Sequence, residues 1–307
     1  MQQRPSASCA SQADPTRRGC LSPRFAVGNF KRWLQLQKLR PVHINELYGL
    51  LLCGSPPLAP RTVGHVHRVL RRALGHAHRW GLVHQNVAAL VSPPRVATTE
   101  IELLTPAQAQ AVLAKLEGRS IYPILVTALA TGMRRGEFLA LRWRDVDLDG
   151  AVLRVEQSLE QTKAGLRFKS PKTKHGRRSI SLPPSAVAVL REHWRAQQEL
   201  RLKLGVGKAP ADTLVFPTWD GKPRSPNAFT KEWTVAVKAA GMPAVTLHSL
   251  RHTHASHLIA EGHDVLTISR RLGHGSPTIT LGVYGHLFPS TDDRVASSIE
   301  AMFNKTS

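Results

Sequence analysis

A helix that has to carry an arginine on its apolar face constrains this chain more than any other feature. Thr246 can cap a helix running from Leu247 to about Ala260 and stopping at Gly262. Leu247, Leu250, Ala255, Leu258 and Ile259 form a broad apolar arc on it. At 100° per residue, His248 and Arg251 fall inside that arc and are predicted to face the interior or a cleft. Ser249, Thr253 and Ser256 take the opposite side, predicted to face solvent. A guanidinium turned inward needs an anion. No Asp or Glu lies three or four residues from Arg251, so its partner is distant in the chain or belongs to a bound phosphate.

Downstream, LGHGSPTITLGVYGH places His274 and then, ten residues on, Tyr284. Gly282 and Gly285 flank this tyrosine and predict a locally mobile backbone. The other two tyrosines read as packing residues, Tyr48 beside Leu47, Leu50 and Leu51, and Tyr122 opening the run IYPILVTALA. Tyr284 is therefore the leading nucleophile candidate.

Charge points to the partner. Lys and Arg number 42 against 21 Asp and Glu, a formal net charge of +21. A surplus that large attracts polyanions, and nucleic acid fits better than anionic membrane because no amphipathic lipid-binding segment is present. A basic surface with no such partner is the competing reading. No apolar run approaches the roughly 20 residues of a membrane span, and Arg4 is not followed by a signal-peptide core, so a cytoplasmic protein is expected. Cys9, Cys20 and Cys53 are odd in number and lack metal-ligand spacing, consistent with free thiols.

With 307 residues there is room for two modest domains. Residues 1–24 have almost no aliphatic content and are predicted to be a disordered or loosely attached, divergent N-terminal segment. A short helix containing Ile44, Leu47, Tyr48 and Leu51 follows. The next, about Arg61–Trp80, has Val63, Val66, Leu70, Ala73 and Ala77 as its expected buried seam. Arg68, Arg71, Arg72 and Arg79 decorate its other faces, where they can track a phosphate backbone or form a solvated basic face. His65, His67, His76, His78 and His84 have no acidic or cysteine companions and are expected at the surface or facing a groove.

Pro93 and Pro94 make 93–104 an extended linker. Thr105 and Gln108 then form a capping box opening a helix to about Glu117, and Ile121–Ala130 reads as the central helix of the larger core. In TGMRRGEFLALRW a helix would put Arg134 on one stripe with Phe138 and Leu141, with Glu137 one turn away. Arg134 then either forms a buried ion pair with Glu137 or holds a phosphate while Glu137 orients it. Arg135 and Arg142 read as surface charge. Segments 151–156, 166–168 and 178–182 alternate like strands of a small antiparallel sheet. Helices are expected at about 184–204 and 226–240, with a strand at 214–216. The tail places Val295, Ile299, Met302 and Phe303 on one helix face.

The order of these motifs resembles the tyrosine recombinase, or phage-type integrase, family: T-G-x-R-x-x-E at Thr131–Glu137, K-T-x-x-x-x-R-x-I from Lys172, H-x-x-R at His248–Arg251, then L-G-H ending at His274 and Y-G-H from Tyr284. The resemblance implies a mainly α (α+β) fold: a helical core-binding domain over 25–92, the linker, and a mixed helical catalytic domain over 105–307 with the small sheet and a tail that docks on a neighbouring subunit. Residues 1–24 do not resemble the family's arm-binding domain, and 25–90 resemble only the later core-binding helices.

The resemblance also implies roles. Arg134 and Arg251 would clamp a DNA phosphate, with Glu137 behind Arg134. Tyr284 would attack it, His248 would be the nearest base, and His274 would hydrogen-bond the phosphate. Lys172 would protonate the departing 5′ oxygen, although Lys169 and Lys174 stand close by. No cofactor and no metal is implied. The implied partners are double-stranded DNA, three further copies in a homotetramer, and accessory DNA-bending or excision factors, in a nucleoid-associated setting. The function would be site-specific integration and excision of a mobile element. Two alternatives share the motifs: a truncated integrase remnant that binds DNA without efficient recombination, and a type IB topoisomerase. A metal-dependent hydrolase built on His248, His252, His254 and His257 is disfavoured, because these residues fan around the helix.

Overall fold

The computed structural model describes residues 34–96, 103–171, 176–241, 245–288 and 292–304. The chain divides into two compact units, Met1–Thr99 and Glu100–Ser307. The N-terminal segment 1–24, the centre of the expected linker, Lys172 and Lys174 lie outside the described residues.

In the first unit, Pro at the first turn opens both α1 (Pro41–Cys53) and α2 (Pro60–Arg79), where the missing N–H is not needed. Ile44, Tyr48 and Leu51 of α1 pack with Val63 and Leu74 of α2 and with Val87 and Ala88 of the following 3-10 turn. The buried seam of α2 is Val63, His67, Leu74 and Ala77, so the expected Ala73 lies outside it, exposed, and His67 lies inside. A hydrogen bond of 2.7 Å between the Tyr48 hydroxyl and His67 Nδ1 explains the exchange, since it satisfies a polar group that packing would otherwise leave unpaired.

The second unit packs α4 (Tyr122–Thr131) against α3 (Pro106–Leu116), α6 (Pro184–Lys203) and α8 (Leu247–Ala260), with α7 (Pro226–Ala239) contributing to the same core. Ile124, Leu125, Phe138, Leu153, Ile180, Leu190, Phe229 and Trp233 form its centre. The Trp233 indole donates to Val245 O at 2.6 Å, so this ring is buried without orphaning its N–H. The expected capping box is present, with Thr105 Oγ1 accepting from Gln108 N and Gln108 Oε1 from Thr105 N.

Antiparallel pairing gives a three-stranded sheet in the order β1 (Val146–Asp147), β2 (Val152–Val155), β5 (Arg178–Ser181), and a separate hairpin of β3 (Ser158–Thr162) and β4 (Gly165–Lys169). Leu153 and Ile180 pair across β2 and β5 and both face the core. The fold is thus mainly helical with small antiparallel sheets, as expected. The segment expected as a strand at 214–216 makes only an isolated bridge, Arg142 to Leu214.

Beyond α8 come α9 (Val265–Leu272), α10 (Pro277–Tyr284) and, after a 3-10 turn, α11 (Asp292–Asn304). Asp264 caps α9 by accepting from Leu266 N and Thr267 N. Ser276 Oγ caps α10, which Pro277 opens. Tyr284 is therefore the last residue of a helix rather than part of a mobile glycine loop. On α11, Ile299, Met302 and Phe303 are exposed. Among the described residues no helix is long and apolar enough to cross a membrane.

Candidate active site

The C-terminal end of α9 organises three arginines. Its last carbonyls point out of the helix without intrahelical partners and carry the negative end of the helix dipole. Arg271 O accepts from Arg178 Nε at 2.7 Å, Leu272 O from Arg251 Nη2 at 2.8 Å, and Gly273 O from Arg134 Nη2 at 3.2 Å. Arg251 also donates to Gly132 O at 2.7 Å, at the end of α4, and so ties two helix ends together. Both ends use left-handed glycines, Gly132 at φ 63° and Gly273 at φ 68°.

Arg251 is 3% exposed. Burial lowers its pKa, and the Arg134 guanidinium adds to this, while Glu137 opposes it. A guanidinium keeps its proton at neutral pH in spite of such pressure, so the position holds a fixed positive charge with N–H donors left over for an anion.

Arg134 is not on the helical stripe expected for it. Helix α5 is the single turn Arg135–Phe138, and Arg134 is its N-cap in extended conformation, with a side chain 43% exposed. Glu137 reaches back to it, accepting from the Arg134 backbone N–H at 3.0 Å and from Nη1 at 2.9 Å. The second partner of Glu137 is Arg178, whose Nη2 donates to Oε2 at 2.8 Å. Glu137 is 5% exposed, and burial alone would raise its pKa. Arg178, through charge and hydrogen bond, and then Arg134 reverse this and hold the carboxyl below its usual range. The two roles considered for Arg134 therefore coexist: it pairs with Glu137 and still offers an exposed guanidinium edge.

Tyr284 is 2% exposed, with its ring packed among Ala255, Ile259, Ile268 and Leu272. Burial raises its pKa to about 12, against the pull of Arg251. Its hydroxyl lies 2.6 Å from His252 Nδ1, and the two rings meet edge to face. His248 stands one turn earlier on α8, exposed, with its ring centroid 4.5 Å from that of His252. Burial, Arg251 and Arg134 all lower the His248 pKa. His274, directly after the three-carbonyl run, bonds Thr280 Oγ1 through Nδ1 at 2.8 Å. Burial and then Arg251, Arg134, Arg178 and His252 bring it to about 4.

Arg134, Glu137, His248, Arg251, His274 and Tyr284 thus gather in the second unit. Arg68, Arg71, Arg72 and Arg79 lie exposed on α2 of the first, where Arg68 contacts His65 and Arg79 donates to His76 Nδ1 at 3.0 Å. Several expectations need correction. Of the two settings expected for His248, the interior is excluded: it is exposed, with its ring against that of His252, and the hydrogen bond to the tyrosine comes from His252. Ser249 and Thr253 are buried: Ser249 Oγ completes a capping box with Thr246, and Thr253 Oγ1 accepts from Leu104 N at 3.1 Å. Arg135 and Arg142 are not loose surface charge. The first donates to Thr230 Oγ1 at 2.6 Å, the second to both oxygens of Asp145.

Three residues escaped the sequence reading. His252 appeared only as part of a rejected metal cluster, although its place directly after Arg251 puts it beside the site. Arg178 matched a motif position without receiving a role. Arg271 fixes a second-layer histidine: His254 Nδ1 donates to Leu129 O at 2.7 Å, so Nε2 is free to accept from Arg271 Nε at 3.0 Å. That tautomer is neutral, in keeping with a pKa that burial and Arg271 bring to about 4. Among the described residues no three His, Cys, Asp or Glu side chains are grouped to hold a metal ion.

Residues 102–290 match the phage integrase family. A tyrosine recombinase XerC-like protein of Caldanaerobacter subterraneus subsp. tengcongensis is 30% identical over 291 residues, covering 88% of this chain and 73% of that protein. The ICEBs1 integrase of Bacillus subtilis is 35% identical over 174 residues, covering 56% of this chain and 46% of its own length. The chain therefore spans about half to three quarters of these two relatives. Among solved structures, the Tn1549 transposon integrase bound to a circular intermediate DNA superposes with a TM-score of 0.72 at 19% identity, over 92% of this chain and 95% of that one, a likeness of fold.

Proposed function

We propose that this chain, which belongs to the phage integrase family, is a site-specific DNA recombinase that cleaves and rejoins DNA through a 3′-phosphotyrosyl link at Tyr284. The observation that carries the reading is the arrangement around the end of α9, where Arg134 and Arg251 are held by successive carbonyls beside the buried Tyr284. A DNA phosphodiester resists attack because it is negatively charged and its alkoxide leaves poorly. Guanidiniums held in place before the substrate arrives stabilise the charge that builds on the non-bridging oxygens. At about 4 Å and an effective dielectric near 20, each such charge pair is worth about 4 kcal/mol before desolvation. That corresponds to about three powers of ten in rate.

The Tyr284 oxygen attacks phosphorus, the P–O5′ bond breaks, and Lys172 gives the departing oxygen its proton, a role that rests on the motif alone. The phosphotyrosyl ester retains the energy of the diester. A second 5′-hydroxyl can therefore reverse the step without an external energy source. His274 hydrogen-bonds the phosphate. Arg68, Arg71, Arg72 and Arg79 contact the backbone of double-stranded DNA from the first unit. The working assembly is a homotetramer on two duplexes, nucleoid-associated in the cytoplasm, with accessory DNA-bending or excision factors. The substrate is a mobile element, in keeping with the names of the relatives.

A plasmid carrying two copies of the element's junction tests this reading. Recombinant circles that require both junctions support it. Relaxation of supercoils with no dependence on the junction selects a topoisomerase, and a junction footprint without any product selects the DNA-binding remnant.

A further inference from the structure

We propose that His252 takes the proton from the Tyr284 hydroxyl as the tyrosine attacks phosphorus, an inference that rests on the recombinase reading above. In this step the Tyr284 O–H bond breaks as an N–H bond forms at His252 Nδ1, the new P–O bond forms, and the P–O5′ bond breaks. The departing 5′ oxygen takes a separate proton from the Lys172 ammonium. On rejoining, the His252 proton returns to the tyrosyl oxygen, so the cycle closes without loss.

The geometry favours His252 over its neighbour. A base must lie within hydrogen-bond reach of the proton it removes, and the 2.6 Å contact to Nδ1 meets that condition in the DNA-free protein. The Tyr284 ring is buried in one cluster with Ala255, Ile259, Ile268 and Leu272, which keeps its hydroxyl beside His252 in the DNA-free protein. His248 and His252 are four residues apart on α8 and meet edge to face, so His248 touches the imidazole of His252 from the exposed side. His248 is thus placed to support a charged His252 or to pass a proton outward.

The groups acting on His252 determine when it can work. His248 and Arg251 face it from its own helix, Tyr284 from α10, and His274 from the segment after α9. Burial, His248 and Arg251 bring its pKa to about 4, so at neutral pH without DNA it is unprotonated and able to accept. A phosphate seated between Arg134 and Arg251 offsets their positive charge and makes the imidazole more basic. The base therefore gains strength when the substrate arrives.

The test is the single-turnover rate of covalent adduct formation by the full chain on nicked junction DNA, followed from about pH 5 to pH 9. For the native protein the rate rises with pH as His252 loses its proton in the complex, then levels off. His252→Gln is expected to lower the rate by about 100-fold or more, keep DNA affinity, and show a rate that climbs with pH without levelling. Added imidazole should restore much of the loss in His252→Ala, which a merely structural defect would not allow. A native rate and profile in His252→Gln overturns the inference. So does a faster rate, which would make the hydrogen bond a latch, or a levelling profile lost only in His248→Gln. If the native protein itself forms no adduct, the recombinase reading falls and takes this inference with it.

Discussion

Glu137 shares its carboxylate between the exposed side chain of Arg134 and the buried side chain of Arg178, and the balance of the two pairs sets where the Arg134 guanidinium points. Removing one partner of a buried ion pair generally destabilises by 3–5 kcal/mol. Because Arg134 remains, Arg178→Ala should fall near the lower end, at about 3 kcal/mol, read from denaturant unfolding of the native chain and the variant. The pH dependence follows from the depressed Glu137 pKa. Such a carboxylate contributes stability above its unfolded pKa and loses it as pH falls through the lower folded value. The native chain should therefore weaken more steeply than Arg178→Ala as acid is added below the ordinary carboxylate range. A parallel acid limb in the two proteins would contradict the pairing. The motif pattern made Arg134, Glu137, Arg251 and Tyr284 legible in the sequence, because residue type and spacing both carry chemistry. Arg178 and His252 were not, because their roles depend on contacts 41 and 32 residues away along the chain.

At the level of elements, the ends of α4 and α9 carry the site. Gly132 closes α4 at φ 63°, and a Cβ there would lie 2.6 Å from His254 Cδ2 and 2.9 Å from Leu272 Cδ2. Both the left-handed backbone and the close approach exclude a side chain. Gly132→Ala should destabilise by roughly 1–3 kcal/mol, seen as a lower melting temperature, and should slow any chemistry that needs Arg251, since Gly132 O holds that guanidinium. An unchanged melting temperature would contradict this account of the helix end. Helices with a clear N-cap, such as α3 and α8, or a continuous apolar run, such as α4, could be read from the sequence to within a residue or two. The turn at Arg134 could not. Periodicity continues through TGMRRGEFLALRW, but tertiary pairing of Leu141 O with Val215 N ends the helix after one turn. His248 differs from its neighbours in the same turn: Leu247 and Leu250 enter the core, while His248 stays exposed with its ring against that of His252.

Across the whole molecule, a charge of +21 and the basic face of α2 make DNA affinity dependent on salt. Arg71 and Arg72 are both exposed on that helix. If each neutralises one phosphate, replacing both with alanine should reduce the slope of log affinity against log salt by about 1.8, with similar weakening on any sequence. An unchanged slope would assign them to a solvated face. Sequence composition announced the polyanion, but which arginines meet it depends on packing, as the exchange of Ala73 for His67 in the buried seam illustrates. The central claim is that Tyr284 becomes covalently joined to DNA with two arginines and no metal. It is tested most directly by incubating the chain and its Tyr284→Phe variant with nicked junction DNA in EDTA and resolving the products in SDS. The account predicts a denaturant-resistant protein–DNA adduct with the native chain and none with the variant, both binding the DNA equally. An adduct that survives in Tyr284→Phe, or one that needs added metal, would contradict it.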